Sequence, residues 1–369
     1  PVDGHDLHHL TQILRYARDV NEPVLLHVKT KKGKGYLPAE ENPDAFHGVS
    51  PFDPLTGKAK KASGENFSAV FGRTLARLGQ EDKRICAITA AMMSGTGLEH
   101  FQAACPERFF DVGIAEGCAV SMAAGMAKEG AIPVFAVYST FLQRAYDMIL
   151  HDVALDHLHV VLGVDRAGLV GEDGETHHGV FDVTYLDSVP GMTVLAPSSY
   201  AELERMLEQA VLHMDGPVAV RYPRGGEGTY TADSGAEASV VLRSGKDITL
   251  AGYGIQINDL LEAAQILSEK GVEAEIVKLN VLTPLKTDEV AASVKKTGAL
   301  LVAEDCMAEG CIGQRLAAAL EEQHVGARVC LINCGTQFIA HGALKYLKKE
   351  RNLDGEGIAR KALEVLGRG

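Results

Sequence analysis

Apolar, β-branched segments alternate with amphipathic helical patterns along almost the whole chain. This alternation constrains the fold most, because a parallel strand needs a helical crossover before the next parallel strand can pair with it. We therefore predict an α/β fold with mainly parallel sheets. The predicted strands are 24–28, 85–89, 134–138, 160–165, 218–221, 248–252, 274–279, 300–304 and 329–333, with a short strand ahead of Gly113. The predicted helices are 7–20, 66–78, 115–127, 141–154, 199–213, 258–270, 310–322 and 358–366.

Two stretches interrupt the alternation. Residues 31–64 are rich in Lys, Gly, Pro and Asp, and residues 223–246 are rich in Gly, Ser and charge, so both are predicted to be linkers. The piece before the first linker offers one helix and one strand, which cannot bury a core alone. Because the chain also opens at Pro1 rather than Met, we expect this piece to be the tail of a domain whose remainder is absent.

Composition limits the partners. The chain has 36 Lys and Arg against 49 Asp and Glu, a net charge of −13, which disfavours binding to nucleic acid or anionic membranes. An anionic substrate must therefore be held by a local basic cluster. The longest apolar runs, such as 132–138, are far shorter than the ~18 residues of a membrane span.

The cysteines favour a reduced, cytoplasmic protein. Their number, seven, is odd, and no secretory context accompanies them. The pairs Cys306/Cys311 and Cys330/Cys334 have C-x4-C and C-x3-C spacings, unlike the C-x2-C of common zinc sites. Buried small apolar side chains are the simpler interpretation.

Polar residues follow several predicted strands, where open α/β sheets bind ligands. Glu116 follows the Gly113 turn and begins a helix, either as a functional carboxylate or as a partner of the helix dipole. Tyr138 and Phe141 offer a hydroxyl and a stacking face at the end of strand 134–138. Core aromatic packing is the alternative for this pair.

Two further segments follow strands. The Gly-rich loop 165–179 gathers Arg166, Asp173, His177 and His178, and a histidine there can act as an acid or base near neutral pH. Metal binding by the two adjacent histidines is disfavoured, because such neighbours rarely face one ion. The arginines of the 221–225 segment, beside glycines at a strand end, are suited to anchoring phosphate.

Together these segments resemble the 1-deoxy-D-xylulose-5-phosphate synthase family, thiamine-diphosphate enzymes of the transketolase kind. The resemblance is carried by FDVGIAE at 110–116, VYSTFLQRAYDMILHDVA at 137–154, DRAGLVGEDGETHHGVFD at 165–182, RYPRG at 221–225 and TKKGKGY at 30–36. It extends over essentially the whole chain. It implies the tail of an N-terminal diphosphate-binding domain with a linker at 1–62, a pyrimidine-binding domain at 63–230 and a transketolase C-terminal domain at 231–369.

The resemblance implies a reaction as well. Pyruvate is decarboxylated and condensed with D-glyceraldehyde 3-phosphate to give 1-deoxy-D-xylulose 5-phosphate, which feeds isoprenoid, thiamine and pyridoxal synthesis. The implied enzyme is a cytoplasmic homodimer that uses thiamine diphosphate and Mg²⁺.

Residue roles follow from the same resemblance. Glu116 matches the carboxylate that hydrogen-bonds the cofactor's aminopyrimidine, whose imino tautomer then removes the thiazolium C2 proton. Phe141 matches the ring that stacks on the pyrimidine, and Tyr36 matches a cofactor contact. The groups that hold the aldehyde's phosphate are matched by Tyr138, Arg166 and Arg224. The polar residues at the reacting carbons are matched by Asp173, His177 and His47. Arg144 matches a position to which we assign no role. From composition alone, the Lys/Gly run at 30–36 is typical of a solvated linker, in which Tyr36 and His47 are incidental.

Two departures from the family pattern stand out. The family usually reads Glu-Gln-His where this chain has Glu116, Gly117 and Cys118, which predicts altered tuning of the site. No Gly-Asp-Gly motif followed by Asn, the signature of the Mg²⁺-diphosphate site, occurs in the sequence. We therefore expect Mg²⁺ and the diphosphate to be bound by an N-terminal domain in cis or trans, with no metal site in this chain. This chain alone is expected to be inactive.

Two alternatives to a synthase fragment remain open. The first is a β-type subunit of a split transketolase or 2-oxo acid dehydrogenase, and the second is a dimerising fragment without catalytic activity. A natural subunit is expected to begin near residue 62, whereas this chain begins one helix and one strand earlier.

Overall fold

The computed structural model describes residues 1–43, 45–49, 51–58, 60 and 64–368. They divide into two compact units, Pro1–Gly64 and Glu65–Gly369. The predicted boundary between residues 62 and 63 lies outside the described residues. Among the helices that the structure describes, none combines the length and apolar composition needed to cross a bilayer.

The first unit contains a small β-α-β element. Strand β1 (Val2–Asp3) pairs in parallel with β2 (Val28–Lys29), and helix α1 (Leu7–Asp19) connects them. Asp6 caps α1 by accepting a hydrogen bond from the His9 N–H at 3.0 Å, which explains why the predicted helix 7–20 begins where it does. The predicted strand 24–28 is wrong except at its last residue, because only Val28 and Lys29 find a partner strand.

The predicted linker 31–64 is not featureless in its described part. It contains helix α2 (Leu37–Glu41) and a cluster of three rings. Tyr36, Phe46 and Phe52 lie with ring centroids 5.3 to 5.9 Å apart, a spacing at which aromatic pairs attract each other. The aromatic residues of this linker therefore pack together.

The second unit is built from two sheets with flanking helices. Its strands are β3 (Ile85–Thr89), β4 (Phe109–Asp111), β5 (Ile132–Tyr138), β6 (Val161–Asp165), β7 (Thr193–Leu195), β8 (Val218–Arg221), β9 (Ser239–Arg243), β10 (Ile248–Tyr253), β11 (Ala274–Leu279), β12 (Val281–Thr283), β13 (Ala299–Ala303) and β14 (Arg328–Ile332). Its helices are α3 (Phe67–Glu81), α4 (Glu99–Ala104), α5 (Glu116–Lys128), α6 (Ser139–Leu142), α7 (Tyr146–Met148), α8 (Asp182–Asp187), α9 (Tyr200–Leu212), α10 (Ile257–Glu269), α11 (Asp288–Thr297), α12 (Ile312–Glu322), α13 (Leu344–Glu350) and α14 (Gly355–Leu366).

The larger sheet has the strand order β12-β7-β8-β6-β5-β3-β4. All of its neighbours pair in parallel except β12, which runs antiparallel to β7. Because β12 follows β11 in the chain, a short segment from the C-terminal part completes the sheet formed by the middle of the chain. The carboxyl ends of β3, β4, β5, β6 and β8 therefore share one edge.

The smaller sheet has the order β14-β13-β10-β11-β9, parallel except for the β11–β9 pair. Its strands β10, β11 and β13 are buried throughout, which accounts for their continuous apolar runs. The predicted α/β class with mainly parallel sheets is confirmed. The predicted linker 223–246 is wrong at its end, where residues 239–243 form β9.

Candidate active site

Polar and aromatic side chains gather at the carboxyl ends of the parallel strands in the larger sheet. Tyr138 ends β5 and pairs across the ladder with Asp165, which ends β6. Asp111 ends β4 beside Thr89, the last residue of β3. Ligands of open α/β sheets bind outside these strand ends, so this edge is the candidate site.

The turn from β4 to α5 places Glu116 at the start of its helix. Asp111 Oδ1 accepts hydrogen bonds from the backbone N–H groups of Ala91 and Gly113 at 2.8 and 2.9 Å. Gly113 adopts a φ of +70°, a conformation that favours glycine. Glu116 is then the first residue of α5 and is only 4% exposed. This position at the helix N-terminus allows both roles proposed for Glu116.

Arg144 contacts Glu116 and Phe141 at once. Its Nη1 donates a hydrogen bond to Glu116 Oε1 at 2.7 Å. Its guanidinium carbon lies 4.8 Å from the centroid of the Phe141 ring, within the range of cation–π attraction. A buried carboxylate, a ring face and a half-exposed cation thus form one group.

The rings of this edge continue from Phe141. Tyr138 stacks on Phe141 with centroids 5.9 Å apart and an interplanar angle of 24°. The His177 ring meets Phe141 edge-on, with centroids 5.4 Å apart. Phe141 therefore lies between the phenol of Tyr138 and the imidazole of His177.

Two arginines converge on one carboxylate beside Tyr138. The guanidinium carbon of Arg166 lies 3.7 Å from the centroid of the Tyr138 ring, and Arg166 Nε is 3.8 Å from Asp173 Oδ2. Arg224 Nη1 is 3.3 Å from Asp173 Oδ1 and donates a hydrogen bond to the Val170 carbonyl at 3.1 Å. Asp173 thus provides an anionic partner for both arginines.

The structure brings together every predicted site residue of the second unit. Contacts run from Arg224 through Asp173, Arg166, Tyr138, Phe141 and Arg144 to Glu116, with His177 against Phe141. Burial raises the pKa of Tyr138, so its hydroxyl stays protonated and can donate to an anion.

Tyr36 and His47 belong to the first unit. Lys32 Nζ donates a hydrogen bond to His47 Nδ1 at 2.9 Å. The Tyr36 hydroxyl is buried and has no hydrogen-bond partner among the residues that the structure describes. A buried polar atom without a partner marks a place where a ligand atom or water can supply the missing bond.

Arg221 does not fit the expectation that the arginines of this segment anchor phosphate. Its side chain is 2% exposed, and its Nε lies 2.9 Å from Asp182 Oδ2. Its Nη2 donates to Asp305 Oδ1 at 3.1 Å. Arg221 is therefore a buried structural ion-pair residue, whereas Arg224 reaches the site.

His178, the second histidine of the adjacent pair, hydrogen-bonds to the protein backbone through both ring nitrogens. His178 Nδ1 accepts a hydrogen bond from the Val170 N–H at 3.2 Å, and its Nε2 donates to the Ala340 carbonyl at 3.3 Å. Both ring nitrogens are occupied, and burial lowers the His178 pKa. Within the described ranges, no group of three His, Cys, Asp or Glu residues is arranged to hold a metal ion.

The cysteines are free thiols. Burial raises the pKa of Cys306 and Cys330 and that of Cys311 to about 12. Burial therefore keeps these thiols protonated, in keeping with their interpretation as small apolar side chains.

Asp165 is a site residue to which the sequence pattern assigns no role. It is fully buried and its Oδ1 lies 3.2 Å from Arg166 Nη1. The signal available in the sequence is a charged residue at the last position of an otherwise apolar strand. Sequence alone cannot show which cation that charge faces.

Three family models match the chain. The transketolase pyrimidine-binding domain matches residues 64–226, and the transketolase C-terminal domain matches residues 237–358. A model described as 1-deoxy-D-xylulose-5-phosphate synthase matches residues 1–30.

Curated relatives and a solved structure agree with these models. The 1-deoxy-D-xylulose-5-phosphate synthase of Desulforudis audaxviator is 47% identical over 98% of this chain, and synthase 1 of Geobacter sulfurreducens is 46% identical over 97%. The chain spans 58% of the length of each of these two relatives. A solved structure titled "Split gene transketolase, inactive beta4 tetramer" has a TM-score of 0.74 and is 28% identical, covering 82% of this chain and 99% of its own.

Proposed function

Because the chain belongs to the 1-deoxy-D-xylulose-5-phosphate synthase family, we propose that it contributes the pyrimidine-binding and phosphate-binding side of that enzyme's active site. The reaction joins pyruvate, after loss of CO₂, to D-glyceraldehyde 3-phosphate. The observation that carries the proposal is the continuous set of contacts from Arg224 to Glu116. It combines an anion-binding end with a carboxylate-and-ring end on one sheet edge.

The carboxylate-and-ring end fits an aminopyrimidine. Glu116 offers a buried carboxylate that can accept a hydrogen bond from a ring nitrogen, and Phe141 offers a face for stacking. Thiamine diphosphate, when bound, supplies the carbon nucleophile and the electron sink of the reaction. Tyr36, whose buried hydroxyl lacks a partner among the described residues, is proposed as a further contact to this cofactor.

The anion-binding end fits the aldehyde's phosphate. Arg166 and Arg224 offer guanidinium groups suited to phosphate oxygens, and the protonated hydroxyl of Tyr138 can donate a further bond. Asp173 lies between the two cations, so a phosphate must compete with this carboxylate or displace it. His177 and His47 are proposed to move or hold protons at the reacting carbons, and Asp173 is proposed as a further polar residue there.

The finer organisation belongs to the same proposal. We assign residues 1–62 to the end of a diphosphate-binding domain with its linker, 63–230 to the pyrimidine domain and 231–369 to the C-terminal domain. No residue of this chain is assigned to Mg²⁺, which is expected to bind with the diphosphate in an N-terminal domain supplied in cis or trans. A cytoplasmic homodimer is the proposed assembly.

The solved transketolase structure favours one second candidate, a subunit of a split transketolase. The two candidates differ in the donor of the two-carbon unit, which is pyruvate in one and a ketose phosphate in the other. The family model at residues 1–30 and the identities of 46% and 47% with synthases support the pyruvate donor. Release of CO₂ from pyruvate in the presence of glyceraldehyde 3-phosphate distinguishes them directly.

The proposed role of Glu116 is tested by Glu116→Gln in the enzyme that contains this chain. The amide keeps the size of the side chain but removes the carboxylate, so we expect carboligation to fall at least about a hundredfold. Glu129→Gln, at the exposed end of the same helix, is the matched control and should retain full activity. Near-normal turnover by Glu116→Gln would contradict the proposed function.

A further inference from the structure

Asp165 lies directly behind the proposed phosphate site. It ends β6, is fully buried, and its Oδ1 accepts a hydrogen bond from Arg166 Nη1 at 3.2 Å. Its other hydrogen-bonding neighbours are the hydroxyls of Ser68 and Tyr222. Burying a carboxylate costs stability even where a cation pairs with it.

Arg166 needs such a partner because its own conformation is restrained. Its backbone has a φ of +59°, which is uncommon for a residue with a side chain. Its Nη1 also donates to the Gly95 carbonyl at 2.8 Å, and its guanidinium carbon lies 3.7 Å from the centroid of the Tyr138 ring. Only 14% of its side chain is exposed. Asp165, the Gly95 carbonyl and the Tyr138 ring therefore restrain the guanidinium. Its Nε lies on the side of Asp173, at 3.8 Å from Oδ2.

We propose that Asp165 is a positioning residue that orients the Arg166 guanidinium for the phosphate of the aldehyde substrate. This inference rests on the proposed function, because it takes Arg166 to be a phosphate anchor. Asp165 itself is too deeply buried to touch the substrate. It acts by fixing which nitrogens of Arg166 point toward the strand and which face outward.

The charges around Asp165 give the proposal a pH dependence. Burial raises the Asp165 pKa to about 6, and the Arg166 charge partly opposes this effect. Tyr222 and Tyr138 face it as phenols whose pKa values are raised chiefly by burial, so both stay neutral. Asp173 faces Arg166 from the other side. As the pH falls through about 6, the Asp165 carboxyl takes up a proton, and the charge-assisted bond that orients Arg166 is lost.

The melting temperature of the Asp165→Asn variant distinguishes a positioning role for Asp165 from a structural role. The folded-state pKa of Asp165 lies above its ordinary value, so ionising it costs folding stability as the pH rises from about 4 to 6 and beyond. Asp165→Asn removes this cost at pH 7.5. The variant should therefore melt at the same or a higher temperature than the parent chain while binding phosphate less well.

The experiment measures binding of glycerol 3-phosphate to the chain by calorimetric titration at pH 7.5. Asp165→Asn should raise the dissociation constant about tenfold, the effect of one hydrogen bond to a charged group. Arg166→Ala tests the anchor itself, and Arg84→Ala, an exposed arginine at the amino end of β3, should bind like the parent chain. Equal affinity in Asp165→Asn, or a loss that accompanies a lower melting temperature, would overturn the positioning role.

A second measurement needs no variant. Sulfate keeps its charge across the range, so its affinity for the parent chain is compared at pH 7.5 and pH 5. We expect weaker binding at pH 5, because the charge-assisted bond that orients Arg166 is lost when the Asp165 carboxyl is protonated. Unchanged or stronger binding at pH 5 would contradict the proposal. If the parent chain and Arg166→Ala bind glycerol 3-phosphate equally, the proposed function fails instead, because Arg166 is then not an anchor.

Discussion

Arg144 occupies the position between the two groups that the proposed function assigns to an aminopyrimidine. It pairs with Glu116 at 2.7 Å and covers the Phe141 ring at 4.8 Å. Half of its side chain, 51%, is exposed, so it can turn toward solvent at little cost. We infer that a ligand stacking on Phe141 and bonding to Glu116 competes with Arg144 for both contacts.

Arg144→Met is therefore expected to tighten binding of thiamine diphosphate. The apolar side chain no longer competes for Glu116, and the gain should be about threefold, since a half-exposed ion pair contributes up to roughly 1 kcal/mol. Calorimetric titration of the enzyme that contains this chain, with its diphosphate-binding domain present, measures the change, and Arg144→Lys is a control that keeps the charge. Weaker binding by Arg144→Met would show that Arg144 assists the cofactor rather than competing with it.

Single residues were predictable from sequence where their position along a strand defines them. Tyr138, Arg166 and Arg224 follow strand ends, and a parallel sheet must bring such residues to one edge. The partners of Arg144 and Asp165 could not be predicted in this way. Arg144 contacts Glu116, which lies 28 residues away along the chain. Asp165 is fully buried, and no local sequence pattern predicts the burial of a carboxylate.

Among the secondary-structure elements, the predicted helix 141–154 differs most from the structure. It begins earlier as α6, passes through a 3₁₀ turn at Gln143–Ala145 and α7, and ends in a π-helical segment at Ile149–Ala154. Leu142 and Ala145, three residues apart, are both fully buried, which matches the three residues per turn of a 3₁₀ helix. The apolar spacing thus changes within the segment, and the helix type changes with it.

Gly117 follows Glu116 in the first turn of α5 and packs close to Met148. A Cβ placed on Gly117 would lie 2.8 Å from Met148 Cε, closer than packed atoms allow. The missing side chain therefore makes room for Met148. This contact ties the first turn of α5, which carries Glu116, to the end of α7.

A double-mutant cycle on Gly117→Ala and Met148→Ala tests this pairing. Alanine favours a helix over glycine by about 0.5–1 kcal/mol, so Gly117→Ala should stabilise the chain when Met148 is already shortened. Beside the native Met148 it should lose that gain, giving a coupling free energy of about 1 kcal/mol in urea unfolding. Additive effects of the two substitutions would show that Met148 moves aside freely.

An apolar segment forms the predicted strand only where a neighbouring strand pairs with it. Strands 85–89, 218–221 and 274–279 are observed with the predicted bounds, because long buried strands carry their own apolar signal. β12 and β7 are three residues each, too short for such a signal. Residues 24–27 carry the signal but lack a partner strand, and Leu25 is 98% exposed.

At the scale of the whole second unit, a buried ion network joins the two sheets. Arg221, at the end of β8, binds Asp182 and Asp305, and Asp305 follows β13 of the smaller sheet. The Arg221 guanidinium also lies 5.2 Å from the Tyr253 ring at the end of β10. A second buried ion pair, Lys278–Glu202 at 3.0 Å, connects β11 of the smaller sheet to helix α9.

These connections explain why the Gly-, Ser- and charge-rich stretch at 223–246 does not divide the second unit into independent domains. The sequence predicts a linker at 223–246, and a linker normally separates independent domains. Here β12 returns to the larger sheet, and Arg221 shares its charge between carboxylates from both parts. Such ion pairs depend on which buried charges face each other in the folded chain. Counting charges along the sequence does not reveal this.

Arg221→Met tests how strongly this network holds the unit together. The substitution leaves Asp182 and Asp305 as buried carboxylates without their cation, so the free energy of unfolding at pH 7.5 should fall by about 3–5 kcal/mol. Urea unfolding followed by far-UV circular dichroism measures it. Arg73→Met removes a surface pair with Glu65, whose side chains are 47% and 46% exposed, and should cost less than about 1 kcal/mol.

The pH dependence of that loss identifies its cause. Burial already raises the pKa of Asp182 in the presence of Arg221, and removing the cation must raise this pKa further. The Asp182 carboxyl then takes up a proton as the pH falls, so the deficit of Arg221→Met should shrink between pH 7.5 and pH 5. A deficit that stays constant over this range would assign the loss to packing of the Arg221 side chain rather than to its charge.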